Sequence, residues 1–186
     1  MSRQKVSSIL DGAGGAVRRK KIAGRWHYEL MRTGEDAIGD GGPGALMVDP
    51  SNGLNAIRRL EEIFGGLTGP VRVCDPYVDN KTVDFLATMR SASEIRLLTH
   101  NVMGERSFRR DLSAAQRQLG IPFEVRVTSA AENHDRYVLA DNESYLIGSS
   151  LNGFAKKRSF VTPLTGLKGP VLDAFDRDWN RAKKLA

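Results

Sequence analysis

From residue 54 onward the apolar positions fall into short, regular sets. Leu54, Ile57, Leu60, Ile63 and Phe64 recur at the spacing of one helix face, and Gly65-Gly66 stops the run. Val71 to Cys74 is β-prone and ends at Asp75-Pro76, a strand entering a turn. Thr82 to Met89 suits a helix with Val83, Leu86 and Ala87 on one face. Ile95 to Leu98 reads as a strand, Phe108 to Leu119 as a helix and Phe123 to Val127 as an alternating strand. Two short strands follow, Tyr137 to Ala140 and Tyr145 to Ile147, joined by the polar turn Asp141-Asn142-Glu143. Leu172, Phe175, Trp179 and Ala182 place a last helix over Val171 to Leu185. Strands alternating with helices, then a hairpin, predict an α/β layered fold: a mixed β-sheet flanked by helices over residues 54–186.

Residues 1–53 have a different texture. Glycines cluster at Gly12, Gly14 and Gly15 and again at Gly39, Gly41, Gly42 and Gly44, around Pro43. Between them Ile22 to Met31 carries Trp26, Tyr28, Leu30 and Met31, enough to dock a short segment on a core. The region reads as a partly ordered N-terminal extension or linker.

Charge narrows the partner. The 186 residues hold 28 Lys and Arg against 22 Asp and Glu, a net charge of +6. That surplus suits a phosphate-bearing ligand such as nucleic acid. It is uneven: Arg18 to Lys21 form one basic run and Lys156 to Arg158 another. No apolar stretch reaches membrane-span length and the first residues lack a signal-peptide core, so the chain reads as soluble and cytoplasmic, with no membrane span. The single cysteine, Cys74, excludes an internal disulfide framework and reads as a buried thiol. No His or carboxylate cluster has metal-ligand spacing, so no metal and no cofactor is expected.

The chemistry concentrates in Asn133 to Lys157. His134 and Arg136 stand two apart, so on an extended strand they share a face. The hairpin return would bring Gly148, Ser149, Ser150 and Asn152 back beside them. An imidazole, a guanidinium and several short neutral donors then converge, a set suited to a phosphate oxyanion. Lys156 and Lys157 would raise the positive potential nearby.

His134, Arg136 and Asp141, with Gly148, Ser149 and Asn152 downstream, stand at the spacing of a known motif. The stretch resembles the phospholipase D superfamily signature, H-x-K-x4-D followed by x6-G-S-x2-N. The run from Val71 to Leu86 with its Asp-Pro-Tyr turn, the strand EIRLLT, and Phe175 and Trp179 in a final helix are also family-like. The resemblance implies phosphodiester chemistry without a metal. His134 would be the nucleophile or acid and Arg136 the phosphate clamp. Ser149, Ser150, Asn152 and Lys156 would bind phosphate, and Asp141 would support the architecture around the histidine.

Two departures shape the expectation. Arg136 replaces the signature lysine, keeping the charge while changing its geometry. The chain also has one motif where the family's chemistry needs two. His27 and His100 lack matching neighbours, so the second histidine must come from a second copy, in a symmetric homodimer. The resemblance and the basic surplus together imply a phosphodiesterase that acts on nucleic acid, a nuclease. The alternative is a non-catalytic module of the same fold that binds nucleic acid, a lipid headgroup or a protein partner.

Overall fold

A computed structural model describes residues 17–22, 25–30, 45–128 and 135–185. The chain divides into two units, Met1–Gly44 and Ala45–Ala186. In the first, strand β1 (Val17–Ile22) pairs antiparallel with β2 (Arg25–Leu30), from Val17 opposite Leu30 to Ile22 opposite Arg25. The basic run Arg18 to Lys21 therefore lies inside a strand.

The second unit opens with β3 (Leu46–Val48) and a 3-10 turn at Pro50–Asn52. Helix α1 (Gly53–Gly65) follows and buries Ala56, Leu60 and Phe64, the stripe its apolar period predicts. Then come β4 (Gly69–Cys74), the short β5 (Tyr77–Val78) and α2 (Asn80–Leu86), whose start is fixed by a capping box. There the Asp79 side chain accepts from Thr82 N, and Thr82 Oγ1 accepts in return from Asp79 N. β6 (Ala92–Thr99), the short β7 (Asn101–Val102), α3 (Glu105–Leu119) and β8 (Phe123–Val127) continue the alternation. β9 (Tyr137–Leu139) and β10 (Ser144–Ile147) form the hairpin, followed by β11 (Ser159–Pro163), α4 (Lys168–Arg181) and β12 (Lys183–Lys184).

Eight of these strands form one mixed sheet in the order β12-β8-β6-β4-β9-β10-β11-β3. β4, β6 and β8 run parallel through the α2 and α3 crossovers, whereas β9 lies antiparallel to β4 and β10 and β11 continue antiparallel. Alternation along each strand divides the core. Val71, Val73, Ile95, Leu97 and Val138 pack with α1, α2 and α3 residues such as Leu60, Leu86 and Phe108. Cys74, Leu98, Tyr137 and Leu139, one position out of phase, pack with Phe175 and Trp179 of α4 on the other face. Phe175 and Trp179 stack at 5.6 Å between centroids, and the Arg126 guanidinium lies 4.6 Å from the Trp179 ring centroid. Burying each such large side chain contributes about 2 kcal/mol.

The predicted α/β layered fold is present, with three differences. Leu46 to Val48, placed by the sequence in the extension, edge the main sheet by pairing with β11. β11 itself had no sequence signal, because its polarity is inverted: Ser159 is buried and Phe160 exposed. The last helix ends at Arg181 rather than Leu185, because Lys183–Lys184 pair with β8 and Leu185 N donates to Val125 O. Among the described residues no helix is long and apolar enough to cross a membrane.

Candidate functional site

β4 ends at Asp75, and the C-terminal ends of parallel strands are where open α/β sheets gather their ligands. Pro76 stops the strand, and the Asp75 carboxylate, 1% exposed, binds the chain in two places. Oδ1 accepts from Tyr77 N at 3.1 Å, closing the turn. Oδ2 accepts from Leu151 N at 2.7 Å, across 76 residues of sequence. Burial pushes the Asp75 carboxyl above its ordinary range. The Leu151 and Tyr77 amides, the Ser150 hydroxyl and the Arg136 charge all oppose that shift.

β9 lies antiparallel to β4 with Tyr137 opposite Cys74, so Arg136 falls beside Asp75. Arg136 Nε donates to Ser150 Oγ at 2.7 Å and lies 3.8 Å from Asp75 Oδ1. Ile147 N donates to Arg136 O at 2.7 Å, which brings the end of β10 alongside. At the next residue the chain has no room for a side chain. A Cβ on Gly148 would stand 2.8 Å from Ser159 Oγ and 3.1 Å from the Phe160 ring. Ser149 Oγ is buried with no hydrogen-bond partner among the described residues. Ser150 then leads in extended conformation into a 3-10 turn, Leu151–Gly153, that holds Asn152 half-buried and hangs on Asp75 through Leu151 N.

The structure thus brings Arg136, Ser149, Ser150 and Asn152 to one strand end and adds Asp75. Sequence reading gave Asp75 only a turn role, since its bond to Leu151 is invisible along the chain. Its position as a carboxylate closing an apolar strand was the available signal. His134 lies outside the described residues. Asp141 is not brought to the group: it stands at the far end of β9, exposed, over Gly69. Asp141 N donates to Thr68 O at 3.0 Å, and Asn142 bonds Thr68 N and Gly66 O, so this turn ties down the α1–β4 connection. Lys156 is exposed, and its amide donates to Gly153 O.

Cys74 and Tyr137, one position before Asp75 and one after Arg136, face the other way. They line a cavity of about 520 Å³ under α4, together with His100 and Asp135. His100 Nδ1 lies 3.0 Å from Thr128 O, a carbonyl that can only accept, so Nδ1 is the donor of that bond. Burial pushes the Cys74 thiol up to about 12. Among the described residues no group of three or more His, Cys, Asp or Glu is placed to hold a metal ion.

No protein-family model matches the chain, and no curated protein is similar to it. Solved structures are. Nuc from Salmonella typhimurium, described as a phospholipase D family member, superposes with a TM-score of 0.57 at 13% identity, over 77% of this chain and 98% of its own. NucT from Helicobacter pylori superposes with a TM-score of 0.53 at 10% identity, over 76% and 98%. The archaeal chromatin protein TrmBL2, described as showing a novel mode of DNA binding, gives 0.51 at 11%, over 78% of this chain and 54% of that one. The chain has the phospholipase D fold.

Proposed function

We propose that the chain is a metal-independent phosphodiesterase, a nuclease that works as a homodimer with His134 as nucleophile. What supports this reading most directly is one convergence in a phospholipase D fold. Arg136 is held by Ser150 at the end of β4, and the residue before Ser150 carries Ser149 Oγ, a buried hydroxyl with no hydrogen-bond partner among the described residues. A hydroxyl left unpartnered in a protein interior costs about 1–3 kcal/mol, and a bound phosphate oxygen would relieve that cost.

In this mechanism an imidazole nitrogen of His134 attacks phosphorus. The bond to the leaving oxygen breaks, and that oxygen departs with the electron pair and takes a proton from the partner subunit's His134. Water then adds to phosphorus and gives its proton to that second imidazole. The P–N bond breaks, releasing a phosphomonoester and free His134. Arg136, Ser149 and Asn152 steady the charge on the non-bridging oxygens, and Asp75 holds the loop that carries Ser149 and Asn152.

A second reading, a nucleic-acid-binding module without turnover, is favoured by one observation. Arg136 occupies the signature lysine position and is already engaged with Ser150 and Asp75. The fold also occurs in TrmBL2, whose description is of DNA binding. Incubation with labelled DNA and RNA in EDTA, beside His134→Ala, separates the two. Cleavage by the parent alone supports the phosphodiesterase; salt-sensitive binding without cleavage supports the module.

A further inference from the structure

The cavity of about 520 Å³ under α4 lies on the face of the sheet away from Arg136. Its volume falls within the range of small-molecule pockets, about 300–1,000 Å³. The helix explains why the space is there. Val171, Ala174 and Asp178 share one stripe of α4, at steps of three and four, and all three line the cavity. Their neighbours Phe175 and Trp179 reach the sheet and are buried. Ala174 ends at a methyl group, so between these contacts the gap stays unfilled. Leu98 from β6, Leu146 from β10 and Leu164 complete an apolar wall. Leu167, 57% exposed, also lines the cavity, which therefore opens to solvent.

Asp178 is the misfit in this stripe. It is half-buried, and among the described residues its carboxylate meets no cation and no hydrogen-bond donor. A carboxylate set against apolar walls loses part of its hydration, and no charge of opposite sign replaces it. Among the described residues that line the cavity there is no Lys or Arg. Burial raises the Cys74 thiol most, and the charges of Asp75, Asp178 and Asp135 raise it further, so the field along this wall is negative. His100 Nδ1 donates to Thr128 O, which in the neutral ring leaves Nε2 an acceptor. An anionic ligand would be repelled here, and a neutral apolar one would leave Asp178 unmatched. The complement is a positive charge on an apolar body.

We propose that this cavity is a binding site for an organic cation, a primary ammonium on an apolar body, with Asp178 receiving the charge and the leucine wall taking the body. Arg136, Ser149 and Asn152 take no part in it, so the site stands whether or not the chain cuts phosphodiesters.

The test is isothermal titration of the full chain with benzylamine, beside benzyl alcohol and benzoate, which keep the ring and change only the charge. Benzylamine should bind at millimolar concentration or below, at one site per chain. Benzyl alcohol should bind about tenfold more weakly or worse, and benzoate more weakly still. Asp178→Asn keeps the shape and removes the charge. It should weaken benzylamine by about 10- to 100-fold and leave the melting temperature unchanged or higher. Ala174→Leu fills the space while keeping the carboxylate, and should abolish binding of the amine and the alcohol alike. Benzylamine affinity that survives Asp178→Asn would overturn the proposal, as would equal affinity for benzyl alcohol in the parent. Undiminished binding by Ala174→Leu would place the amine elsewhere and overturn it too. So would an absence of benzylamine binding at millimolar concentration.

Discussion

At one end of β9, Arg136 reaches Ser150 and stands beside the buried Asp75. At the other end, Asp141 sits in solvent over Gly69, and its turn ties down the α1–β4 connection. The sequence puts Arg136 and Asp141 in one motif, five residues apart, yet the strand Tyr137–Leu139 holds them at its opposite ends. A fixed spacing can therefore measure a strand and its turn as much as it measures a reacting group. The residues that join Arg136 come from the next loop and from the end of β4, not from its own motif partner.

The largest effect is expected at His134, two residues before Arg136. His134→Ala should reduce cleavage about a thousandfold or more without lowering the melting temperature. A variant that still cuts would move the nucleophile elsewhere.

Next is Asp75. Asp75→Ala leaves the Leu151 and Tyr77 amides without their acceptor and should cost about 3 kcal/mol in urea unfolding. Its pH dependence has a definite sign. Burial raises the carboxyl above its ordinary value of 3.8, so the native state holds the proton longer than the unfolded chain does. Stability from that proton is fully present below about 3.8 and is lost as pH rises through the raised value. The advantage of the parent over Asp75→Asn should therefore shrink as pH climbs from 4 to 7. An advantage that grows over that range would contradict the buried placement.

At the Asp141 end the effects are smaller and structural. Gly69 has φ +76°, and a Cβ there would lie 2.1 Å from Asp141 Oδ2. Gly69→Ala should cost about 1–2 kcal/mol from the left-handed backbone alone, and more from the contact with the carboxylate. Combining it with Asp141→Ala should recover part of the loss, because the two positions touch. Strict additivity of the two variants would show that they do not.

The smallest effect is chemical silence at Cys74. With its thiol pushed up to about 12, it should stay unlabelled by a thiol reagent at pH 8 until urea unfolds the protein. Rapid labelling of the native protein would mean that the end of β4 is open.

Much of the frame was legible in the sequence, and its gaps have physical causes. α1 and α3 were visible because Leu60 and Phe64, or Phe108 and Leu112, repeat on one helix face and are buried together. β11 was hidden because Ser159 is buried and Phe160 exposed, the reverse of what a polarity pattern looks for. β12 was hidden because it consists of two lysines whose pairing with β8 depends on where α4 ends. Ser149, Ser150 and Asn152 could be placed at the Arg136 end of the hairpin from spacing because a hairpin is local. Asp75 could not, since its role rests on a bond to Leu151 across the fold. Asp141 was read into the site because the sequence records distance along the chain, and strand β9 converts that distance into separation.

The most direct test of this division is kcat/KM for bis(p-nitrophenyl) phosphate in EDTA, measured side by side for Arg136→Ala and Asp141→Ala. Arg136→Ala should lower it about a hundredfold or more, the scale of losing a transition-state charge clamp. Asp141→Ala should stay within about threefold of the parent, as an exposed substitution away from the reacting groups should. Equal losses from the two ends, or a larger one at Asp141, would contradict that division.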